Sequence, residues 1–182
     1  MIDSSEGLEE AISHLNKARI IGFDTETRPS FRKGLSFSVS LLQLASPKRC
    51  FLFRLKTLGL PHSLKEILEN PDRPKVGVSL RDDFHSLERI CDFHPEGFID
   101  LQQYVKRFGI ADNSLSRIYA ILFGQRISKG QRLSNWEAEK LSPAQINYAA
   151  FDAISCIRIY DYISSGQFNP LASKYIKDIE NP

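Results

Sequence analysis

The stretch Arg19-Ile-Ile-Gly-Phe-Asp-Thr-Glu restricts the fold more than any other part of the chain. It is dense in β-branched and aromatic residues and predicts a strand. That strand ends in the carboxylates Asp24 and Glu26, separated by one residue. Alternate residues of a strand share a face, so the two acids project together, about 6–7 Å apart along the chain. Over that reach carboxylates can share hard cations such as Mg²⁺ or Mn²⁺, which take oxygen ligands. A solvated strand end explains the pair equally well, so alone it leaves both readings open.

The chain has 182 residues and a mass of 20.7 kDa, a size at which about 70% of the unfolded surface can be buried. One compact domain over residues 1–182, with a core from about 6 to 165, is expected. A composition of 42% hydrophobic and 25% charged residues excludes disorder, collagen and coiled coil. Helical spacing runs over residues 8–18. After the first strand, residues 36–45 and 49–55 read as two more, joined by Ser46-Pro47-Lys48, and together these three suggest an antiparallel meander. Ser63 and Glu66 have the capping-box spacing ahead of a helix reaching Asn70. Residues 74–79 form a short buried strand that continues into a helix over 80–90, and 97–101 a last strand. Helical patterns follow at 102–108 and 114–123, then a polar loop over 124–136. The final helix opens at Ser142-Pro143-Ala144-Gln145, with Ser as cap, Pro in the first turn and Gln closing the box. Strands first and helices later give a mixed α/β layer architecture.

Net charge is +2, from 24 basic and 22 acidic residues, too near zero to coat nucleic acid by bulk charge. Any anionic substrate must be met locally. Cys50, Cys91 and Cys156 have no metal or redox spacing, which predicts reduced, mostly buried thiols in a cytosolic protein. No apolar run approaches the roughly 20 residues a membrane helix needs, and the acidic start MIDSSEGLEE directs no export. The expected setting is cytoplasmic, with no membrane partner. The four histidines lack zinc spacing, and no GxGxxG or Walker loop implies a nucleotide cofactor.

Two further constellations carry acids. In Lys75-Val-Gly-Val-Ser-Leu-Arg-Asp82-Asp83, a buried strand runs into a helix whose first turn is acidic, a placement that the helix dipole alone explains. In Tyr148-Ala-Ala-Phe-Asp152, tyrosine and aspartate stand one turn apart on one helix face, a pairing common as packing and solvation. Ala149 and Ala150 leave that stretch slim enough for a backbone or ligand to approach.

In this order and context, FDTET, GVSLRDDFHSL and YAAFD resemble the three motifs of the DnaQ-like, or DEDD, 3′-to-5′ exonuclease superfamily, over about residues 19–162. Asn147 and Tyr148 occupy the positions that divide it, and the match is to the tyrosine class. The segment Lys129–Trp136 with LSPAQINYAAFDA is more similar to the Werner-type exonuclease branch than to the ribonuclease D branch.

The resemblance implies a ribonuclease H-like mixed sheet flanked by helices and a two-metal site. Asp24, Glu26 and Asp152 would ligate one Mg²⁺ or Mn²⁺, Asp24 and Asp83 a second, and Tyr148 would orient the attacking water. Gly77 and Leu87 align so that Asp83, rather than Asp82, falls on the catalytic position. Two cations about 3.5–4 Å apart generate the nucleophile and brace the leaving oxygen. The implied reaction releases nucleoside monophosphates from 3′ ends, with DNA favoured and ribonuclease D-like action on RNA as the alternative. Substrate contacts are expected from Thr25, from Arg28, Phe31, Arg32 and Lys33 after the first motif, and from Arg126, Lys129, Arg132 and Trp136 before the last helix, the cations tracking phosphates and Phe31 or Trp136 stacking on a base. Plain solvation of the basic residues, and anchoring of the loop by Trp136, is the simpler alternative. A helicase or repair partner acting in trans is compatible with this reading, and the oligomeric state is open.

Two other functions compete. A haloacid dehalogenase-like phosphatase also starts from an acidic strand end, but Glu26 replaces its second aspartate and its lysine and late Gly-Asp motifs are missing. A binding module without catalysis gains little support, because every motif acid is present.

Overall fold

Five strands make one sheet in the order β3-β2-β1-β4-β5 in the computed structural model, which describes residues 1–169. They are β1 (Ile21–Thr27), β2 (Val39–Ala45), β3 (Cys50–Arg54), β4 (Lys75–Gly77) and β5 (Phe98–Asp100). β1 pairs antiparallel with β2, and β2 with β3, which is the expected meander. On its other edge β1 pairs parallel with β4, and β4 with β5. The helices are α1 (Ser5–Leu15), α2 (Leu55–Leu58), α3 (His62–Leu68), α4 (Leu80–Glu88), α5 (Leu101–Lys106), α6 (Leu115–Phe123) and α7 (Pro143–Ser164).

Alternation along the strands sorts side chains onto two helical layers. Ile21, Phe23, Leu42, Leu44, Phe51 and Phe53 pack with Ala11 and Leu15 of α1 and Leu64, Ile67 and Leu68 of α3. Ile20, Ala45 and Val76 pack with α5, α6 and α7. β2 is buried at all seven positions because both of its faces are covered.

α7 lies directly on β1. A Cβ on Gly22 would stand 2.0 Å from the Ala153 carbonyl oxygen, so only glycine admits that backbone. Ala149 and Ala153 form the matching slim face of α7 and are fully buried. The helix start is fixed as expected: Gln145 N donates to Ser142 Oγ at 3.2 Å and Ser142 N donates to Gln145 Oε1 at 3.0 Å.

Some expectations are corrected. α3 begins at His62 after Pro61, so Ser63 sits inside the first turn and caps nothing; a cap must itself be non-helical. Residues 36–38 stay outside β2, and α2 was not expected. Of the three thiols only Cys156 is buried, while Cys50 and Cys91 are half-buried, and all three are free. The tail beyond Asn169 lies outside the described residues. Among those described, no helix is long and apolar enough to cross a membrane.

Candidate active site

The end of β1 and the middle of α7 converge. Ligand-capable oxygens of Asp24, Glu26 and Asp152 all lie within 4.8 Å of one another. Strand alternation puts Asp24 and Glu26 on the α7 face, two and four residues beyond Gly22. The close contact at Gly22 brings Asp152, the neighbour of Ala153, down to meet them. The β1–β2 register shifts just past Glu26, where Thr27 pairs with Val39 and Ser40 is passed over. A bulge of this kind re-aims side chains at a strand end.

Asp83 arrives differently. α4 follows β4 through Ser79, whose φ of 63° and ψ of 40° are left-handed, and the helix has no side-chain cap of its own. Asp100, at the end of β5, supplies the missing acceptor: Ser79 N donates to it at 3.3 Å, Leu80 N at 3.2 Å and Gln102 N at 2.8 Å. One carboxylate thus ties the starts of α4 and α5 together. One turn into α4, Asp83 accepts a hydrogen bond from Thr25 Oγ1, whereas Asp82 is exposed. Asp83 is outside the trio that shares one 4.8 Å neighbourhood.

Crowding and burial raise the acid pKa values. Asp24 is held well above the usual carboxylate range, first by desolvation and then by Asp152, Glu26 and Asp83. Glu26 is pushed up to about 9 by desolvation, Asp152 and Asp83. Desolvation raises Asp152 and Asp83 each to about 6, partly offset by the Tyr148 and Thr25 hydroxyls respectively. The Tyr148 hydroxyl itself is raised by burial and by the charge of Asp152. None of the salt bridges among the described residues involves these four acids. Asp152 Oδ1 has no hydrogen-bond partner, a state that costs on the order of 1–3 kcal/mol. Converging, uncompensated carboxylate oxygens with no nitrogen or sulfur ligand fit a hard divalent cation.

The expected substrate residues divide. Trp136 is 1% exposed and packs with Leu41, Leu52 and Ala149, so of its two expected roles it takes the anchoring one and is not free to stack on a base. Its ring centroid lies 6.0 Å from that of Tyr148. Arg28 is committed to Glu137 at 3.0 Å and lies over the Phe37 ring, and the Thr25 hydroxyl is committed to Asp83, so neither group is free for substrate as it stands. Phe31 is 81% exposed. Lys129 and Arg132 line a cleft of about 160 Å³ together with Tyr148 and Asp152. A larger cleft of about 760 Å³ shares Ser116, Ile127 and Lys129 with it and adds Arg117 and Arg126.

Gln43, Ser79, Asp100 and Glu137 belong to the site's surroundings and were not singled out from sequence. Asp100 follows an apolar strand and precedes a helix, the pattern of an N-cap, and could have been read as one. The others depend on pairing register or backbone conformation and leave no local signal.

Over residues 1–166 the chain matches the family model described as 3′-5′ exonuclease. It is 32% identical over 165 residues to the bifunctional 3′-5′ exonuclease/ATP-dependent helicase WRN of Mus musculus, covering 87% of this chain but only 12% of that protein. The crystal structure of the Aedes aegypti Nibbler EXO domain shares the fold with a TM-score of 0.80 and 23% identity, covering 93% of this chain and 90% of that one. Escherichia coli RNase D shares it with a TM-score of 0.81 and 20% identity, over 91% of this chain and 44% of that one. The ribonuclease H-like mixed α/β fold follows from these likenesses.

Proposed function

The chain belongs to the 3′-5′ exonuclease domain family, and from that premise we propose that Asp24, Glu26, Asp83, Tyr148 and Asp152 are its catalytic residues. The observation that carries this reading is the convergence of the Asp24, Glu26 and Asp152 oxygens within 4.8 Å. In this reading the trio holds one Mg²⁺ or Mn²⁺, and Asp24 with Asp83 holds a second. When bound, such cations lower the pKa of water and neutralise charge on a phosphodiester. The catalytic core spans about residues 6–165.

The chain's own groups then have separate tasks. Glu26, pushed up to about 9, holds a proton at neutral pH while no cation is present, and Asp24 is raised in the same direction, so loading releases protons and strengthens as pH rises. Burial and the charge of Asp152 raise the Tyr148 hydroxyl and favour its protonated form. In this reading it orients a water by hydrogen bonding. Lys129 and Arg132, at the cleft they share with Tyr148 and Asp152, meet the phosphates of the incoming strand. Phe31, exposed in the loop after β1, offers a ring for a base to stack on.

DNA 3′ ends are the favoured substrate, in keeping with the 32% identity to the exonuclease/helicase relative. Action on RNA is the second reading, favoured by the fold shared with RNase D, an exoribonuclease. Digestion of 5′-labelled single-stranded DNA, recessed duplex and single-stranded RNA with Mg²⁺, Mn²⁺ or EDTA decides between them. A metal-dependent ladder shortening from the 3′ end is expected, longest on DNA. A ladder on RNA alone moves the substrate to the second reading, and no ladder on any substrate overturns the catalytic assignment.

A further inference from the structure

Apart from the carboxylates, Gln43 is the most anomalous group in the interior. Its exposure is 0%, and neither Nε2 nor Oε1 has a hydrogen-bond partner. An amide stripped of water and left unpaired opposes folding, and a leucine of similar volume would occupy the same place without that cost.

Its position in the sheet is specific. In the β1–β2 ladder Gln43 is directly opposite Asp24. Opposed residues of an antiparallel pair point to the same face, with Cβ atoms about 4.5–5.5 Å apart. That face is the one α7 covers, as the contact of Gly22 with Ala153 establishes two residues before Asp24. No side-chain donor among the described residues is hydrogen-bonded to the Asp24 carboxylate. A buried amide with free donors and a half-buried carboxylate short of donors thus sit side by side under one helix.

We propose that Gln43 is a positioning residue for Asp24, its Nε2–H donating to the Asp24 carboxylate when that carboxylate holds a divalent cation. This rests on the reading of Asp24 as a metal ligand. Ligating carboxylates are oriented by groups behind them, and loss of such a group typically weakens metal binding 10–100-fold. It also gives a use to a buried amide that no other group of the protein pairs.

Calorimetric titration of Mn²⁺ into the metal-free protein, beside thermal unfolding in EDTA, tests this on the parent, Gln43→Leu, Gln43→Met and Asp24→Asn. Both Gln43 variants should unfold in EDTA at or above the parent's temperature yet bind Mn²⁺ on the order of 10–100-fold more weakly. Parental Mn²⁺ affinity in the Gln43 variants overturns the inference, as does a loss of affinity accompanied by a lower unfolding temperature, which marks packing damage. Asp24→Asn separates the two levels. Parental affinity in that variant removes the metal site and the inference together, whereas lost binding there with full binding in the Gln43 variants removes the inference alone.

Discussion

α7 and α4 each bring one carboxylate to the end of β1, and they are built in opposite ways. α7 starts from a complete capping box and lies backbone to backbone on Gly22, so Asp152 is fixed against Asp24 and Glu26. α4 starts from a left-handed Ser79 without a cap of its own, is braced from outside by Asp100, and presents Asp83 to Thr25 rather than to the trio. One acid is held by packing that cannot shift without a clash. The other is held by hydrogen bonds at a strained turn, which yield more readily. The contrast fits a site in which a tight trio binds a first cation and a more adjustable acid completes a second.

The largest effects should come from the acids themselves. Asp152→Asn should remove the tighter Mn²⁺ binding and lower the exonuclease rate by about 10³-fold, since several kcal/mol of charge stabilisation is lost at about 1.4 kcal/mol per tenfold. Asp83→Asn should lower the rate comparably while leaving one Mn²⁺ bound, as read by calorimetry. Equal loss of all metal in both variants would erase the difference between the helices. Gly22→Ala comes next. Its methyl would displace α7 at Ala153, so about 1–3 kcal/mol of stability and on the order of 10²-fold in rate should disappear together in denaturant titrations and assays.

Asp100→Ala should act on the starts of α4 and α5 and leave α7 in place. Loss of the acceptor shared by Ser79, Leu80 and Gln102 should cost about 1–2 kcal/mol and weaken the second cation more than the first. Ser79→Gly should have the smallest effect, a gain of about 0.5–1 kcal/mol, because glycine accepts a φ of 63° with little strain.

The pH dependence of the metal-free protein compares the two helices without any assay of activity. Glu26 has an ordinary value of 4.5 and a folded value of about 9, so between those limits the native state holds a proton that the unfolded chain has released. Stability in EDTA should therefore fall as pH rises from about 5 to 9, and saturating Mn²⁺ should abolish the fall. Asp152 raises Glu26 more than Asp83 does. Asp152→Asn should accordingly flatten the slope of unfolding temperature against pH more than Asp83→Asn does.

How far the sequence alone reached follows the same division. The strand ending in Asp24 and Glu26, the capping box of α7 and the Tyr148–Asp152 spacing are local patterns, and the structure contains all three elements. That Asp24, Glu26 and Asp152 come together was expected only through the resemblance of the three motifs to the DEDD exonucleases, because each pattern alone is explained equally well by solvation or packing. Gln43 was not legible, since its role depends on which residue of β1 it faces, and register is not written in β2 alone. Trp136 could be read either as a stacking surface or as an anchor, and only burial distinguishes the two. Arg28 looked free in the sequence because its partner Glu137 is 109 residues away. The Ser63 box failed because the helix begins two residues earlier, with Pro61 as cap and His62 as its first residue, a boundary that spacing does not fix.

The most direct test is anomalous diffraction from crystals of the intact protein soaked in Mn²⁺. The expected result is a strong peak within bonding distance of Asp24, Glu26 and Asp152, with any second peak between Asp24 and Asp83. A Mn²⁺ ion bound elsewhere, with the trio empty at saturating metal, would contradict the assignment of β1 and α7 as the metal-holding pair.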